Sequence, residues 1–139
     1  MKRSLTMFLA AAALAIPVGA ITAGGAGASA SAHTAKTSAV VVNRRCSKGS
    51  LGNLQLQRED TGKLSVDFGV DMARHTAGVA WKVKGTDNGT ALFATTMHTI
   101  SDGSFSITRV VTPKAGVNHI VAIAANPATG ETCSLSASI

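Results

Sequence analysis

From Val40 onward, apolar and polar residues alternate in short runs that turn-forming residues separate. The clearest run is Leu64–Asp71, in which every second residue is apolar, and Val79–Lys84 repeats the pattern around Trp81. A period of two places successive side chains on opposite faces of a strand, so each run predicts a strand with one buried face. No segment in this part of the chain shows sustained helical periodicity.

Turn signals divide the region into about eight short strands. Asn88-Gly89 is the strongest signal, because both residues tolerate the positive φ that a tight hairpin requires. His119–Ala125 is apolar on both faces, which predicts a central strand. The other predicted strands are a weak one at Val40–Val42, one through Leu54 and Leu56, a Thr-rich run Thr90–Thr99, one through Phe105 and Ile107, and Cys133–Ile139.

Short strands at this spacing predict an all-β fold. We expect an antiparallel β-sandwich, immunoglobulin-like in size, with seven or eight short strands; a small β-barrel is the alternative. The residues expected in its core are Trp81, Phe68, Val66 and Ile107.

One prediction concerns strand register. If Leu64–Asp71 pairs antiparallel with Gly78–Lys84 across the loop 72–77, Asp67 should lie opposite Lys82. Such a pair would partly neutralise Lys82.

The first 32 residues differ from the rest of the chain. Lys2-Arg3 precedes an apolar run, and the small residues that follow include two candidate cleavage sites, Ala28-Ser29-Ala30 and Ala30-Ser31-Ala32. This order is that of a secretory signal peptide, for which we favour cleavage after Ala32. A membrane anchor is the alternative, but no basic stop follows the apolar run. The predicted organisation is a signal peptide (1–32), an N-terminal arm with the weak first strand (33–45) and a β-sandwich domain (46–139).

Two cysteines, Cys46 and Cys133, lie near the two ends of the mature chain. In an exported protein they predict a single disulfide between them, with two buried free thiols as the alternative. Neither cysteine has a Cys or His at zinc spacing, so we predict no metal site.

The net charge and the distribution of basic residues bear on which partners the protein could bind. Without the signal peptide, 11 basic and 7 acidic residues leave a mild net charge of +4. The few remaining aromatic residues all fall in apolar patterns, so we predict no nucleic-acid binding. The one dense basic cluster is Arg44, Arg45 and Lys48, which is typical of a solvated strand end, with contact to an anionic cell surface as the alternative.

Candidate catalytic groups occur only as isolated residues. His75, His98 and His119 lie in different predicted elements, and most carboxylates fall in predicted turns, where such side chains cap the backbone. The carboxylates in question are Glu59, Asp60, Asp87, Asp102 and Glu131. We therefore predict that the protein is not an enzyme and needs no cofactor. Convergence of His98 and His119 with Asp67 or Asp102 would revive a catalytic or metal site, and sequence spacing does not decide it.

Three features together resemble a group of small secreted proteins of actinobacterial type that have no assigned activity. They are the signal peptide, the cysteine near the mature start and the closing run Asn126–Cys133 (NPATGETC). The resemblance covers the whole mature chain. In size and predicted fold the chain is also similar to the enediyne-carrying apoproteins, but those carry two disulfides and this chain can form only one, so we do not carry their function over.

The sequence therefore predicts a secreted, extracellular and non-catalytic β-sandwich that acts as a binding or surface-associated module. Its contacts are expected in the end loops 72–77 and 112–117, with a protein or a cell surface as partner and no stable membrane insertion after cleavage. The alternative is a small secreted inhibitor or antagonist of another protein, which would need an exposed loop held at both ends.

Overall fold

A computed structural model describes residues 38–139, which form eight β-strands. The predicted signal peptide and residues 33–37 of the predicted arm lie outside these residues. The strands are β1 (Ala39–Arg45), β2 (Leu51–Arg58), β3 (Leu64–Asp71), β4 (Ala80–Asp87), β5 (Thr90–His98), β6 (Ser104–Val111), β7 (His119–Asn126) and β8 (Glu131–Ser138). Residues 38–139 contain no helix that is long and apolar enough to cross a membrane.

The strands form two four-stranded antiparallel sheets, in the orders β1-β2-β3-β6 and β5-β4-β7-β8. The two sheets do not close on each other, so the predicted all-β sandwich is confirmed and the barrel alternative is not adopted. A constant immunoglobulin domain places its first, second, fifth and fourth strands in one sheet. The likeness to an immunoglobulin domain is therefore limited to size and two-sheet architecture. The predicted central strand is β7, which lies between β4 and β8.

The segment 72–79 crosses from one sheet to the other. β3 pairs with β2 and β6, whereas β4 pairs with β5 and β7. The predicted pairing of Leu64–Asp71 with Gly78–Lys84 is therefore wrong, and Asp67 lies opposite Gln55 and Thr108 instead of Lys82. The physical reason is that period-two alternation shows only that one face is buried. A neighbour in the opposite sheet satisfies that requirement as well as a hairpin partner does.

The inward faces of both sheets form one core. Trp81, Phe68 and Val66 are fully buried, and Ile107 is 5% exposed. Phe105 joins the two sheets, since its ring centroid lies 6.5 Å from that of Phe68 and 5.9 Å from that of Trp81. These are separations at which tilted and edge-to-face aromatic pairs attract each other.

Antiparallel pairing gathers the connections at two ends of the sandwich. The loops 46–50, 72–79, 99–103 and 127–130 lie at one end, which we call the disulfide end. The turns 59–63 and 88–89, the loop 112–118 and the last residue, Ile139, lie at the other, which we call the C-terminal end. The two loops that the sequence singled out, 72–77 and 112–117, therefore lie at opposite ends and do not form one site.

The predicted disulfide between Cys46 and Cys133 is confirmed. The Cα atoms of the two cysteines are 4.4 Å apart, and the bond joins the end of β1 to β8, which are edge strands of different sheets. Beside it, the Ser47 backbone N–H donates to the Thr132 carbonyl at 2.9 Å. The disulfide is therefore a covalent link between the two sheets at one side of the sandwich.

Candidate functional site

A cleft opens at the disulfide end, between the loop 46–50, the segment 72–79 and the turn 127–130. Its volume is about 260 Å³. It is lined by Lys48, Ser50, Met72, Ala73, Arg74, Thr129 and Glu131. We call it the disulfide-end cleft.

The floor of the cleft is fixed by a buried carboxylate. Glu131 is 4% exposed, and its carboxylate oxygens accept hydrogen bonds from the Ser50 backbone N–H at 2.9 Å and the Ser50 hydroxyl at 3.0 Å. Glu131 was expected to cap a turn of its own, but it is the first residue of β8 and caps a loop from the opposite sheet. The Glu131 carboxylate therefore has a structural role: its hydrogen bonds hold the loop 46–50 against the start of β8, in a region that the disulfide also constrains.

The rim of the cleft carries cationic side chains from separate segments. Lys48 donates to the Thr129 carbonyl, and Arg45 reaches the Gly49 carbonyl at 3.5 Å. Arg74 has no carboxylate within 4.0 Å. Among the described residues the one contact of this kind between a basic side chain and a carboxylate joins His75 and Asp71. Lys48 belongs to the basic cluster with Arg44 and Arg45 that the sequence shows, but nothing in the sequence indicated that Arg74 lies beside Lys48. No local signal could have done so, since the sheet crossing brings Arg74 to this end.

The histidines at the two ends of the sandwich do not converge. His98 pairs with Ala80 at the start of β4, whereas the His119 carbonyl accepts the Asn88 N–H just beyond the end of that strand. The two anchor points, Ala80 and Asn88, are eight residues of extended chain apart, roughly 26 Å at a rise of about 3.3 Å per residue. The His119 ring instead bonds the Ser138 hydroxyl at 2.9 Å. Between residues 38 and 139, no three His, Cys, Asp or Glu side chains come together as a metal-binding group.

His75 is the histidine that lies near carboxylates. Its Nδ1–H donates to the Asp102 carbonyl at 2.9 Å, and the same nitrogen is 3.6 Å from Asp71 Oδ1. Both side chains are more than half exposed, so solvent screens any electrostatic attraction between them. The contact links the segment 72–79 to the loop 99–103, which supports a structural role for this histidine.

Asp102 caps its own turn, as the sequence predicted. Its Oδ1 accepts hydrogen bonds from the Ser104 hydroxyl at 2.7 Å and the Ser104 backbone N–H at 2.9 Å. Both bonds favour the ionised carboxylate and hold the pKa of Asp102 below its usual value of 3.8, the hydroxyl contributing most.

The C-terminal end is organised around two buried polar residues. Asn118 is fully buried, and its side-chain oxygen accepts the Lys114 N–H at 2.9 Å, which shapes the loop 112–118. Asp87 was expected in a turn, but it is the last residue of β4 and only 2% exposed. Its Oδ1 has no hydrogen-bond partner among the described residues, and Lys114 reaches the Asp87 backbone carbonyl at 3.3 Å. At this end, buried side chains and their hydrogen bonds therefore close the sandwich.

The outer sheet faces carry depressions that are larger and more open than the disulfide-end cleft. One, of about 400 Å³, has Gly69 in its lining. The polar groups beside it already bond one another, since the Asn53 amide donates to Asn43 at 2.7 Å and the Thr108 hydroxyl donates to Asp67 at 2.8 Å. The disulfide-end cleft differs from this depression in presenting two cations, Lys48 and Arg74, on its rim. A further depression, of about 560 Å³ on the outer face of the β5-β4-β7-β8 sheet, also presents two cations, Lys82 and Lys84.

Comparison of the chain with protein-family models, with curated proteins and with solved structures finds no match.

Proposed function

We propose that the protein is a secreted, extracellular, non-catalytic binding module that attaches to an anionic polymer of a cell surface through the disulfide-end cleft. The observation that carries the proposal is the meeting of Lys48 and Arg74, from distant parts of the chain, on the rim of one cleft. Membership among the small secreted proteins of actinobacterial type, which the closing run resembles, is part of the same proposal.

The chemistry of the rim favours an anionic group with several oxygens. A guanidinium offers planar, paired donors that match a phosphate or a carboxylate, and an ammonium adds a point charge beside it. Glu131 also lines the cleft, and its carboxylate accepts two hydrogen bonds from Ser50, which partly offset its repulsion of an incoming anion. The covalent link at Cys46 and Cys133 keeps the loops in place, which lowers the entropy lost on binding.

The order of the first 32 residues and the disulfide both support secretion. Disulfides persist in oxidising compartments and are rare where thiols are kept reduced. Intact mass of the protein from culture medium tests this part: we expect a chain that starts near His33 and contains one disulfide. A mass that matches the full-length chain, or two thiols that react with an alkylating reagent before reduction, would contradict it.

Binding is tested with the mature chain and a poly(glycerol phosphate) polymer, measured by titration calorimetry, with neutral dextran as the uncharged comparison. The double variant Lys48→Ala/Arg74→Ala should bind at least about tenfold more weakly, because roughly 1.4 kcal/mol corresponds to a factor of ten. The matched control is Lys82→Ala/Lys84→Ala, which removes the same charge from the outer face of the β5-β4-β7-β8 sheet. Equal losses in both variants, or no binding by the wild type at physiological ionic strength, would overturn the proposal.

One observation favours the inhibitor as a second candidate. The segment 72–79 is exposed from Ala73 to Gly78 and is held at both ends, by a Met72 N–H bond to the Gly103 carbonyl and a Gly78 N–H bond to the Thr99 carbonyl. An exposed loop fixed at both ends is the form that many inhibitors present to an enzyme. Inhibition assays against secreted proteases test it. We expect His75→Gly, which frees the middle of the loop, to weaken inhibition, and no inhibition by the wild type would exclude this candidate.

A further inference from the structure

The disulfide-end cleft holds charges of both signs, and they differ in exposure. Lys48 and Arg74 are exposed on its rim, whereas Glu131, which also lines it, is only 4% exposed. Lys48 donates to the Thr129 carbonyl, and Ser50, two residues further along the loop, bonds the carboxylate. A ligand that enters the cleft therefore meets the two cations first and the carboxylate last.

The Glu131 carboxylate has acceptor capacity that the protein does not use. An ionised carboxylate has about four lone-pair sites, and Ser50 occupies one on each oxygen. Among residues 38–139, no Lys, Arg or His nitrogen lies within 4.0 Å of this carboxylate. Proteins seldom bury a charge without an opposite charge beside it, because the desolvation of an unpaired charge is costly. A protonated amine that reached Glu131 through the cleft would supply both an opposite charge and hydrogen-bond donors.

We propose, on the basis of the binding function proposed above, that the cleft selects a phosphate polymer that carries primary amines on short side branches. A poly(glycerol phosphate) esterified with alanine is a polymer of this kind. The ammonium of a branch reaches Glu131, while the phosphates of the polymer chain stay at the rim with Lys48 and Arg74. Each charge of the cleft then meets a charge of opposite sign, in the order of its exposure.

The size of the cleft and its uncharged wall suit a short branch. Its volume, about 260 Å³, lies below the range of roughly 300–1,000 Å³ that is typical of sites for drug-sized ligands, so only a small group fits. Met72 and Ala73 line the cleft beside the charged groups and can contact the aliphatic part of the branch. A quaternary ammonium would fit less well, since it has no N–H to donate to Glu131.

Esterification with alanine changes affinity in opposite directions for this cleft and for a simple positive surface. Each alanyl ester adds a positive charge and lowers the net negative charge of the polymer. Binding driven only by the net charge of +4 on residues 33–139 would therefore weaken as the polymer is esterified. A cleft that recognises the ammonium binds the esterified polymer more tightly instead.

Titration calorimetry with residues 33–139, at a mildly acidic pH that preserves the ester, compares three polymers. They are unmodified poly(glycerol phosphate), its alanyl ester, and its N-acetylalanyl ester, which has a branch of similar size without the charge. We expect the alanyl form to bind at least about tenfold more tightly than the N-acetylalanyl form. Glu131→Gln should abolish this preference, because the new side chain has the same shape but no charge. The control, Glu59→Gln, makes the same change in the turn 59–63 at the C-terminal end and should keep the preference.

The possible outcomes separate this proposal from the binding function on which it rests. Equal binding of the alanyl and N-acetylalanyl forms by the wild type would overturn the selection of an amine, whereas no binding of any of the three polymers would overturn the binding function as well. A preference that persists in a folded Glu131→Gln variant, or that is lost equally in Glu59→Gln, would also overturn the proposal. Melting temperatures show that the variants are folded, and the comparison of polymers on the wild type needs no variant.

The same two groups, a phosphate and a primary ammonium, also occur together in the headgroup of phosphatidylethanolamine. Vesicles of this lipid therefore form a fourth arm of the titration, and we expect them to bind more weakly than the alanyl polymer. Tighter binding to the vesicles would make a membrane the partner and would overturn the polymer as the ligand.

Discussion

Removal of the disulfide should be the most damaging small change to this domain. The variant is Cys46→Ala/Cys133→Ala, which avoids leaving one unpaired thiol in the core, where Cys133 is only 1% exposed. The bond closes a loop across a sequence separation of 87 residues. In the chain-entropy description, opening such a loop frees the unfolded chain and costs about 4.6 kcal/mol of folding free energy at 25 °C.

That cost is large compared with the whole stability of a small domain, which is of order 5–15 kcal/mol. For a domain of about 100 residues, each kcal/mol corresponds to roughly 4–8 °C in melting temperature, so we expect a fall of more than about 15 °C. The contacts that remain beside the bond, Ser47 to Thr132 and Ser50 to Glu131, should still direct folding to the same structure. The variant should therefore show a native circular dichroism spectrum at low temperature.

The assay is thermal unfolding of residues 33–139 followed by circular dichroism. The wild type unfolded in the presence of a reductant provides the independent comparison, because it opens the same loop without changing a side chain. A fall of less than about 5 °C in both cases would refute the entropic reasoning. A fall in the variant alone would assign the effect to lost packing at the two cysteines.

Three further predictions test the packing and the turn chemistry. Gly85→Ala should destabilise the fold by about 1–3 kcal/mol in urea unfolding, because the new Cβ would overlap the ring of Phe93, and adding Phe93→Leu should restore part of the loss. Trp81 is the single tryptophan and is fully buried, so native fluorescence should be blue-shifted and resistant to acrylamide, and exposure of Trp81 in the native state would contradict the core assignment. Carbon-13 NMR titration should give Asp102 a pKa below 3.8, and Ser104→Ala should raise it. Since a lowered folded pKa stabilises the fold above the unfolded value and the benefit is lost as pH falls through the folded one, Ser104→Ala should reduce the acid sensitivity of unfolding.

Local patterns in the sequence determined the elements of this protein. Period-two alternation predicts strands because successive side chains of an extended chain must point to opposite faces, and the observed β3 has the predicted bounds, Leu64–Asp71. Asn88-Gly89 predicts its hairpin because few other residues accept positive φ at both positions, and the observed values are 48° and 80°. With only two cysteines in the chain, a disulfide within it has one possible pairing, Cys46 with Cys133.

Only the tertiary structure decided which strands are neighbours. A buried face can be covered by a strand in the same sheet or in the opposite one, so alternation did not reveal that 72–79 crosses between sheets. That crossing alone brings Arg74 to Lys48 and separates Asp67 from Lys82. The buried hydrogen bond between Ser50 and Glu131 was not predictable from the sequence either. The two residues are 81 positions apart, and no sequence pattern links segments at such a distance.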